Sequence, residues 1–578
     1  MKFTLVVLFL LLAGAQGSFG ADLQSREEVT ELTDAVDKLF REWDVPGSPG
    51  GAVILTDGGE IILKRCYGLA DIEHGIPITP ETCFELASVS KPFTAFGVLL
   101  LEQAGKLTLN DDIRKYLPEL KDYGSPITIA DLLHHTSGLS DWVRVRPYAG
   151  QYGRSGFGIE ELLNLVARQR VLEFEPGSKW SYSNTNYALL AEIIARVTGR
   201  SFGEWMQDNV FEPLAMHDTS FPANGKRILP NRANAYHRSS AGEPVRSLVE
   251  AFEIPGSAHA FSTIDDMAKW IDNLRTGRVV GLDIVEKMRK KTTLTTGEQS
   301  FYGAGLGIGS YRGIRTAGHS GQTGAFKTEL VYCPDIEVGI AVVGNAGWLQ
   351  ADDISRRILD LYLGDELEQL PEAAAVGAEE PDEASSYDMD PAEYERFLGG
   401  YRLDADPSVL FAVAREGKWL VGAIVGKGLD FFRPLAESEF ENRHQNCRLT
   451  FFGGEDKERA TERVLVILRG KEMWATRVQL PDDPRWLDEC VGFYYSDEIE
   501  AAYEIVRESD GLAVHLPNSK SRPIHPIEAD LLAGGIGILT FLRSDKGDVV
   551  GFDFGEPEDL GARLIRFARY ERSNLPKS

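Results

Sequence analysis

The sequence predicts a multidomain protein: an α/β (α+β) domain with an antiparallel sheet and a helical layer, followed by two all-β antiparallel barrel domains. Three observations carry the prediction. Strand-like apolar runs stand near both ends of residues 26–364 with helical patterns between them, an acidic linker closes that region, and the remainder repeats itself. At 578 residues with 43% hydrophobic side chains the chain can bury several cores, and its length suggests about three or four domains.

Taken from the N-terminus, Lys2 precedes an apolar run over residues 5–13, and the small residues Ala15, Gly17, Ser18, Gly20 and Ala21 follow. This predicts a signal peptide, set at residues 1–20, with cleavage between Ala15 and Ala21. The run falls short of the roughly 20 apolar residues that span a bilayer, so no stable membrane insertion is expected. Export to a periplasm or the medium is. Next, residues 51–55, 60–67 and 338–343 read as short apolar strands. Residues 92–103, 158–168, 187–197 and 264–274 repeat apolar side chains at helical spacing. Strands at the ends with helices in the middle imply one sheet closed by both ends of residues 26–364.

Residues 365–390, "DELEQLPEAAAVGAEEPDEASSYDMD", hold many carboxylates and no lysine or arginine, as expected of a solvated linker. Beyond it, "DPAEYERFLGGY" from Asp390 and "DPRWLDECVGFY" from Asp483 place Asp-Pro, a Gly and a Tyr in identical register. "LTFF" at Leu449 is echoed by "LTFL" at Leu539, and turns such as Asp545-Lys546-Gly547 punctuate both copies. Two similar β units of about 90 residues follow, assigned to residues 391–481 and 482–573. Their interiors are filled with side chains and need bind nothing.

Composition excludes some functions. A formal net charge of −27 with no Lys/Arg-rich run argues against nucleic acid as a partner, since phosphate requires a basic face. The five cysteines are odd in number and free of Cys-x-x-Cys spacing, so neither a disulfide framework nor a zinc site is indicated. No cofactor or metal is expected. Gly-x-Ser-x-Gly and His-Glu-x-x-His are both absent, which removes two common hydrolase mechanisms. The glycines of "GAGLGIG" (303–309) lack dinucleotide spacing and serve a strand turn instead.

The stretch "FELASVSKPFTAFGVLLLEQAG" (84–105) places Ser88 three residues before Lys91, with Pro92 next and an apolar run beyond. Proline is comfortable only in a helix's first turn, so the helix begins close to Ser88. The Ser88 hydroxyl then lies at the positive end of the helix dipole. Lys91, three residues on, lies on the same face and can reach it. Burial there lowers the lysine pKa, letting a neutral amine accept the serine proton. Alone, Ser-x-x-Lys is a weak pattern, better read as a capping serine and a surface lysine. Its company strengthens it. Tyr182-Ser183-Asn184 precedes a helix, placing a phenol and an amide two residues apart on an extended segment. His319-Ser320-Gly321 opens a segment read as loop and paired edge strands, where glycine lets a substrate approach the backbone.

These three segments, in this order, resemble the S-x-x-K, Y-x-N and K/H-x-G motifs of the penicillin-recognising serine hydrolases. "ITIADLLHHTSGL" (127–139) and "FSTIDDMAKW" (261–270) also resemble the branch containing class C β-lactamases, D-aminopeptidases and related esterases. The resemblance covers roughly residues 30–364, and the domain order resembles that of the D-aminopeptidases. It implies a serine β-lactamase-like domain in which Ser88 is acylated, Lys91 is its base and Tyr182 shuttles the proton. Asn184 would orient lysine and substrate, His319 and Gly321 would line the substrate edge, and the backbone N–H groups of Ser88 and Gln322 would form the oxyanion hole. His134-His135 would be scaffold beside the site, and "LPNSKSRPIHP" (516–526) a barrel loop that trims the cleft.

Two departures bear on substrate. His319 stands where lactamases usually carry lysine, and a neutral imidazole holds a substrate carboxylate less firmly than an ammonium. Ala258-His259 stands where relatives commonly have paired glycines; His259 reads as a packing residue. The expectation is a secreted serine hydrolase of a small peptide, amide or ester, most like a D-aminopeptidase. The alternatives are a carboxylesterase, a β-lactamase or D,D-carboxypeptidase, and a catalytically silent binder of cell-wall peptides.

Overall fold

A computed structural model describes residues 26–571 except 151–156, 223–227, 240–241, 248–253, 365–366, 369–386, 388, 408, 417–418, 425–429, 443–446, 454–459, 469–470, 482–484, 509–510, 518–519, 535–536 and 556–564. The predicted signal peptide and most of the predicted linker lie outside the described residues. No helix among the described residues is long and apolar enough to cross a membrane.

The first domain is built on a six-stranded antiparallel sheet: β1 (Gly51–Asp57), β2 (Glu60–Tyr67), β3 (Gly307–Tyr311), β4 (Ile314–Thr323), β5 (Phe326–Cys333) and β6 (Val338–Gly344), in the order β2-β1-β6-β5-β4-β3. Both ends of the domain therefore meet at the β1–β6 pair. Side chains alternate across a strand, and here the alternation sorts two cores. Ala52, Ile54, Leu330, Ala341 and Val343 face the helical layer, while Val53, Leu55, Ile340 and Val342 face the opposite side. There the sheet is covered by α1 (Arg26–Leu39) and a C-terminal helix, Ala351–Leu363, through Val36, Ile354 and Ile358, with Phe40 just past α1 joining them.

The helical layer holds α2 (Ser90–Gln103), α3 (Trp142–Tyr148), α4 (Asn184–Thr198) and α5 (Ile264–Thr276); Ala351–Leu363 is α6. Phe93 and Phe96 of α2 pack on Trp270 of α5, with ring centroids 4.5 and 5.5 Å apart. Burying each such ring contributes about 2 kcal/mol, which fixes α2 firmly over the sheet. Of these helices, α1, α3 and α6 are additions to the sequence reading. One expectation needs correcting: His319-Ser320-Gly321 lies within strand β4 and not in a loop.

Two closed eight-stranded barrels follow, the first from Gly399–Leu403 to Lys471–Arg477, the second from Gly492–Ser496 to Ile565–Tyr570. The repeated tyrosine explains their likeness. Tyr401 donates to the Phe397 carbonyl at 2.7 Å and Tyr494 to the Cys490 carbonyl at 2.7 Å, so each phenol ties the opening turn to the first strand. The barrels meet along Ala412 and Ala414 against Ile527 and Ile538, beside an Arg402–Glu528 ion pair at 2.7 Å. The second barrel also grips the first domain. Val145 of α3 joins its core cluster, and Tyr148 sets its ring edge on Phe554 at 4.7 Å.

Candidate active site

Pro92 sets where the site begins. It is the third residue of α2, where its missing N–H costs no intrahelical bond. The chain enters through the tight turn Ala87–Val89, with Ala87 held at φ 49°. A non-glycine residue in that region costs about 1 kcal/mol or more and persists only where surroundings dictate it. They do here, because Gly321 of β4 packs directly over the turn. A Cβ on Gly321 would stand 2.5 Å from the Leu86 carbonyl oxygen and 3.2 Å from the Ser88 nitrogen, so no larger residue fits.

Ser88, Lys91, Tyr182 and Asn184 converge. Lys91 is fully buried, and its Nζ lies 3.2 Å from Ser88 Oγ, 2.9 Å from Asn184 Oδ1 and 2.8 Å from the Ser257 carbonyl oxygen. The Tyr182 hydroxyl donates to Ser88 Oγ at 2.9 Å. Burial brings the Lys91 amine down to about 7, against a weaker upward pull from the Asp141 charge. Burial raises the Tyr182 phenol further above its usual range, so its proton stays on.

Hydrogen-bond arithmetic then orients the protons. A neutral amine has two N–H donors and one lone pair. The Asn184 and Ser257 oxygens can only accept, so they take both N–H groups and the lone pair faces Ser88. Ser88 accepts from Tyr182 and gives its own proton to Lys91. The arrangement can therefore deprotonate an alcohol near neutral pH.

His319 takes a quieter part. Its Nδ1 stands 2.6 Å from the Ser320 carbonyl oxygen, which can only accept, so Nδ1 carries the proton and Nε2 accepts from the Tyr302 hydroxyl at 2.9 Å. Burial, with the Lys91 charge adding to it, brings the imidazole down to about 3. A neutral ring with both nitrogens engaged offers no cation to a substrate carboxylate. Gln322 lies one residue beyond Gly321, with its side chain exposed and bonded to Lys327. Two tight hairpins decide its backbone direction. The Arg312-Gly313 and Gly324-Ala325 loops set the registers of β3–β4 and β4–β5, so even-numbered residues of β4 turn their N–H and C=O away from β5. Past Gly318 that side has no β3 partner, and the Gln322 N–H faces the open edge beside Ser88.

A cavity of about 540 Å³ opens next to Tyr182 and His319. Trp180 and Phe301, tilted against each other with ring centroids 4.5 Å apart, form an aromatic wall. Glu329, raised to about 8 by burial, marks a polar end. Among the described residues, those lining it all belong to the first domain. Of the stretch at 516–526, no described residue lines this cavity: Pro517 packs on Gly150, Arg522–Glu528 is a barrel strand, and 518–519 lie outside the described residues.

Two participants, Ser257 and Asp141, escaped sequence reasoning. Ser257 acts through its carbonyl, which no side-chain pattern reveals. Asp141 contacts Asn184 from the start of α3; the only signal was an Asp ahead of a helical run. His135 is buried with its ring tilted against Tyr182 at 4.6 Å, and it accepts from the Ser183 N–H at 3.2 Å, so it is scaffold under the phenol. His259 sits at φ 71° with Nε2 4.0 Å from Glu85 Oε1, and neither bonds to Ser88. The fully buried Glu85 carboxyl is pushed up to about 8 and the His259 ring down to about 4, both by burial.

The fold and this crevice define a serine hydrolase. The chain belongs to the Beta-lactamase family, whose model matches residues 36–363. It is 29% identical over 545 residues to a D-aminopeptidase of Brucella melitensis biotype 1, covering 91% of this chain and 96% of the relative. A D-aminopeptidase of Gluconobacter oxydans is 30% identical over 300 residues, 52% of this chain and 56% of the relative. In fold, an octameric penicillin-binding protein homologue from Pyrococcus abyssi superposes with a TM-score of 0.52 at 23% identity, over 78% of this chain and all of that one.

Proposed function

We propose that the protein hydrolyses the amide bond following an N-terminal D-amino acid, through an acyl-enzyme on Ser88. The observation that carries the chemistry is the buried Lys91 amine, 3.2 Å from an alcohol that also accepts from Tyr182. Lys91 takes the Ser88 proton as Oγ attacks the carbonyl carbon, and the developing oxyanion lies between the N–H groups of Ser88 and Gln322. Such a donor is worth about 3 kcal/mol of barrier. Tyr182 relays the proton from Lys91 to the leaving amine, and water then repeats the steps to release the acid. Asn184 orients lysine and substrate amide, while His319 and Gly321 line the β4 edge.

The D-amino-acid preference rests on the relatives, and the similarity to the Brucella melitensis enzyme extends over 91% of this chain. The aromatic wall suits an apolar substrate side chain, and the neutral His319 weighs against a substrate chosen by its carboxylate. Export by the predicted N-terminal segment belongs to the same reading. Turnover of D- and L-phenylalanyl p-nitroanilide, a p-nitrophenyl ester and a chromogenic cephalosporin decides among the activities. The D-anilide should be cleaved at least about a hundred-fold faster than the L-anilide in kcat/KM, with no turnover by Ser88→Ala. Equal rates for both enantiomers, or turnover confined to the ester or the cephalosporin, would overturn the D-peptidase reading.

A further inference from the structure

Asn184 holds Lys91 through one end of a side-chain amide, and an amide can face either way. Turned round, its NH2 would oppose the amine N–H and the lone pair of Lys91 would leave Ser88. Something must therefore fix the orientation. The Asp141 carboxylate does so geometrically. Its Oδ2 accepts from Asn184 Nδ2 at 3.1 Å and its Oδ1 from the Asn184 backbone N–H at 3.1 Å. Oδ1 also accepts from the Val143 N–H at 3.2 Å. A carboxylate only accepts, so the NH2 must face Asp141 and the oxygen must face Lys91.

The carboxylate is itself well placed. It meets the N-termini of both α3 and α4, where helix dipoles favour negative charge, and it is 5% exposed. Thr185 Oγ1 ties the same ends together, accepting from the Trp142 N–H at 2.9 Å and donating to the Ser140 carbonyl at 2.6 Å. At its other end α3 is gripped by the second barrel, where the Tyr503 hydroxyl donates to the Tyr148 carbonyl at 3.0 Å. Close by, Glu498 accepts from the Arg168 Nε and the Arg170 N–H.

We propose that Asp141 is a positioning residue for this reaction, locking the Asn184 amide with its oxygen toward Lys91 and supplying the negative charge that Lys91 feels. The inference rests on the Ser88–Lys91 reading above. The groups facing Lys91 are Asp141 from the start of α3, Tyr182 and Tyr187 from before and within α4, His135, and His319 from β4. Burial keeps both imidazoles neutral and both phenols protonated. Asp141 is raised by its own burial and drawn back by Arg144, the Val143 N–H and Asn184. Its charge opposes the burial of Lys91, so removing that charge lowers the lysine pKa further. The acidic limb of kcat/KM then moves to lower pH.

The test uses the full-length protein with an activated ester, comparing wild type with Asp141→Asn and Asp141→Ser while melting curves report folding. Either variant should lose about ten-fold or more in kcat/KM, with the acidic limb displaced downward by about half a pH unit or more. The limb is what separates positioning from packing. Wild-type kcat/KM with an unmoved limb would overturn the proposal, and so would a loss of activity with the limb in place. Asp141→Ser keeps a helix cap, so it delivers the same two readings should the amide variant fail to fold. Fluorophosphonate labelling of wild-type Ser88 is read alongside: unlabelled wild type refutes the parent reading, whereas labelled wild type with indifferent variants refutes this inference alone.

Discussion

Two cations of this molecule, the fully buried Lys91 and the half-buried Arg477, behave oppositely. Lys91 stands in the crevice of the first domain with two pure acceptors and one alcohol around it. Arg477 stands at the end of the first barrel, donating to the Leu398 carbonyl at 2.6 Å, the Arg396 carbonyl at 2.7 Å, the Tyr401 hydroxyl at 2.6 Å and the Thr461 carbonyl. Burial pulls both pKa values down. A guanidinium cannot shed its proton within the range of protein chemistry, and its donors are spent on three backbone carbonyls and the Tyr401 hydroxyl. The amine can lose its proton, and it faces a group able to give it one. Burial of a cation thus marks a base only where a transferable proton stands opposite.

The comparison is broken most severely by exchanging each cation for methionine. Lys91→Met should lower kcat/KM by about a thousand-fold or more while the fold survives. Arg477→Met should leave kcat/KM within about two-fold and cost about 3 kcal/mol of stability, because four hydrogen bonds from the guanidinium are lost together. Urea unfolding and steady-state kinetics on both variants check this. If Lys91→Met unfolds the protein and Arg477→Met silences it, the contrast is wrong.

A second test follows from proton linkage. Lys91 titrates near 7 when folded against an ordinary 10.5, so between those values the unfolded chain binds more protons and this residue makes stability rise with pH. Below pH 7 its destabilising effect is fully present. Lys91→Met should therefore melt higher than wild type at pH 7, and the two should draw together by pH 10. Unfolding midpoints at the two pH values decide it.

Smaller effects sharpen the contrast between the barrels. Tyr401→Phe and Tyr494→Phe remove the same tether from each and should each cost about 1 kcal/mol, without changing kcat/KM. Tyr503→Phe removes one bond between the second barrel and α3. It should lower the melting temperature slightly and kcat/KM by less than three-fold. A larger loss of activity would mean that the second barrel governs the crevice more tightly than a single hydrogen bond allows.

Much of this was legible in the chain, and the illegible parts have physical causes. Pro92 announced a helix start, and Ser88 and Lys91 follow from it by helical spacing. The Asp-Pro, Gly and Tyr repeat announced two similar β units because the tyrosine tether needs those positions in both. By contrast, α1 and α6 cover the far side of the sheet with mixed sequences whose apolar stripe is defined only once the sheet exists. The segment from Gly318 reads as loop and paired edge strands, whereas within β4 Gly318 and Gly321 serve close backbone approaches, at Leu330 and Leu86. Ser257 and Asp141 were missed because one works through its carbonyl and the other through a contact to a residue far along the chain.

The central claim is that Lys91 enters the reaction as an uncharged amine opposite Ser88. The rate at which a fluorophosphonate modifies Ser88, followed by mass spectrometry across pH, tests it most directly. The account predicts a single adduct on Ser88, absent in Ser88→Ala, whose rate climbs through one ionisation near pH 7 and then levels off. A rate still climbing beyond pH 9, as an ordinary lysine would dictate, or a folded protein that takes no label, would contradict it.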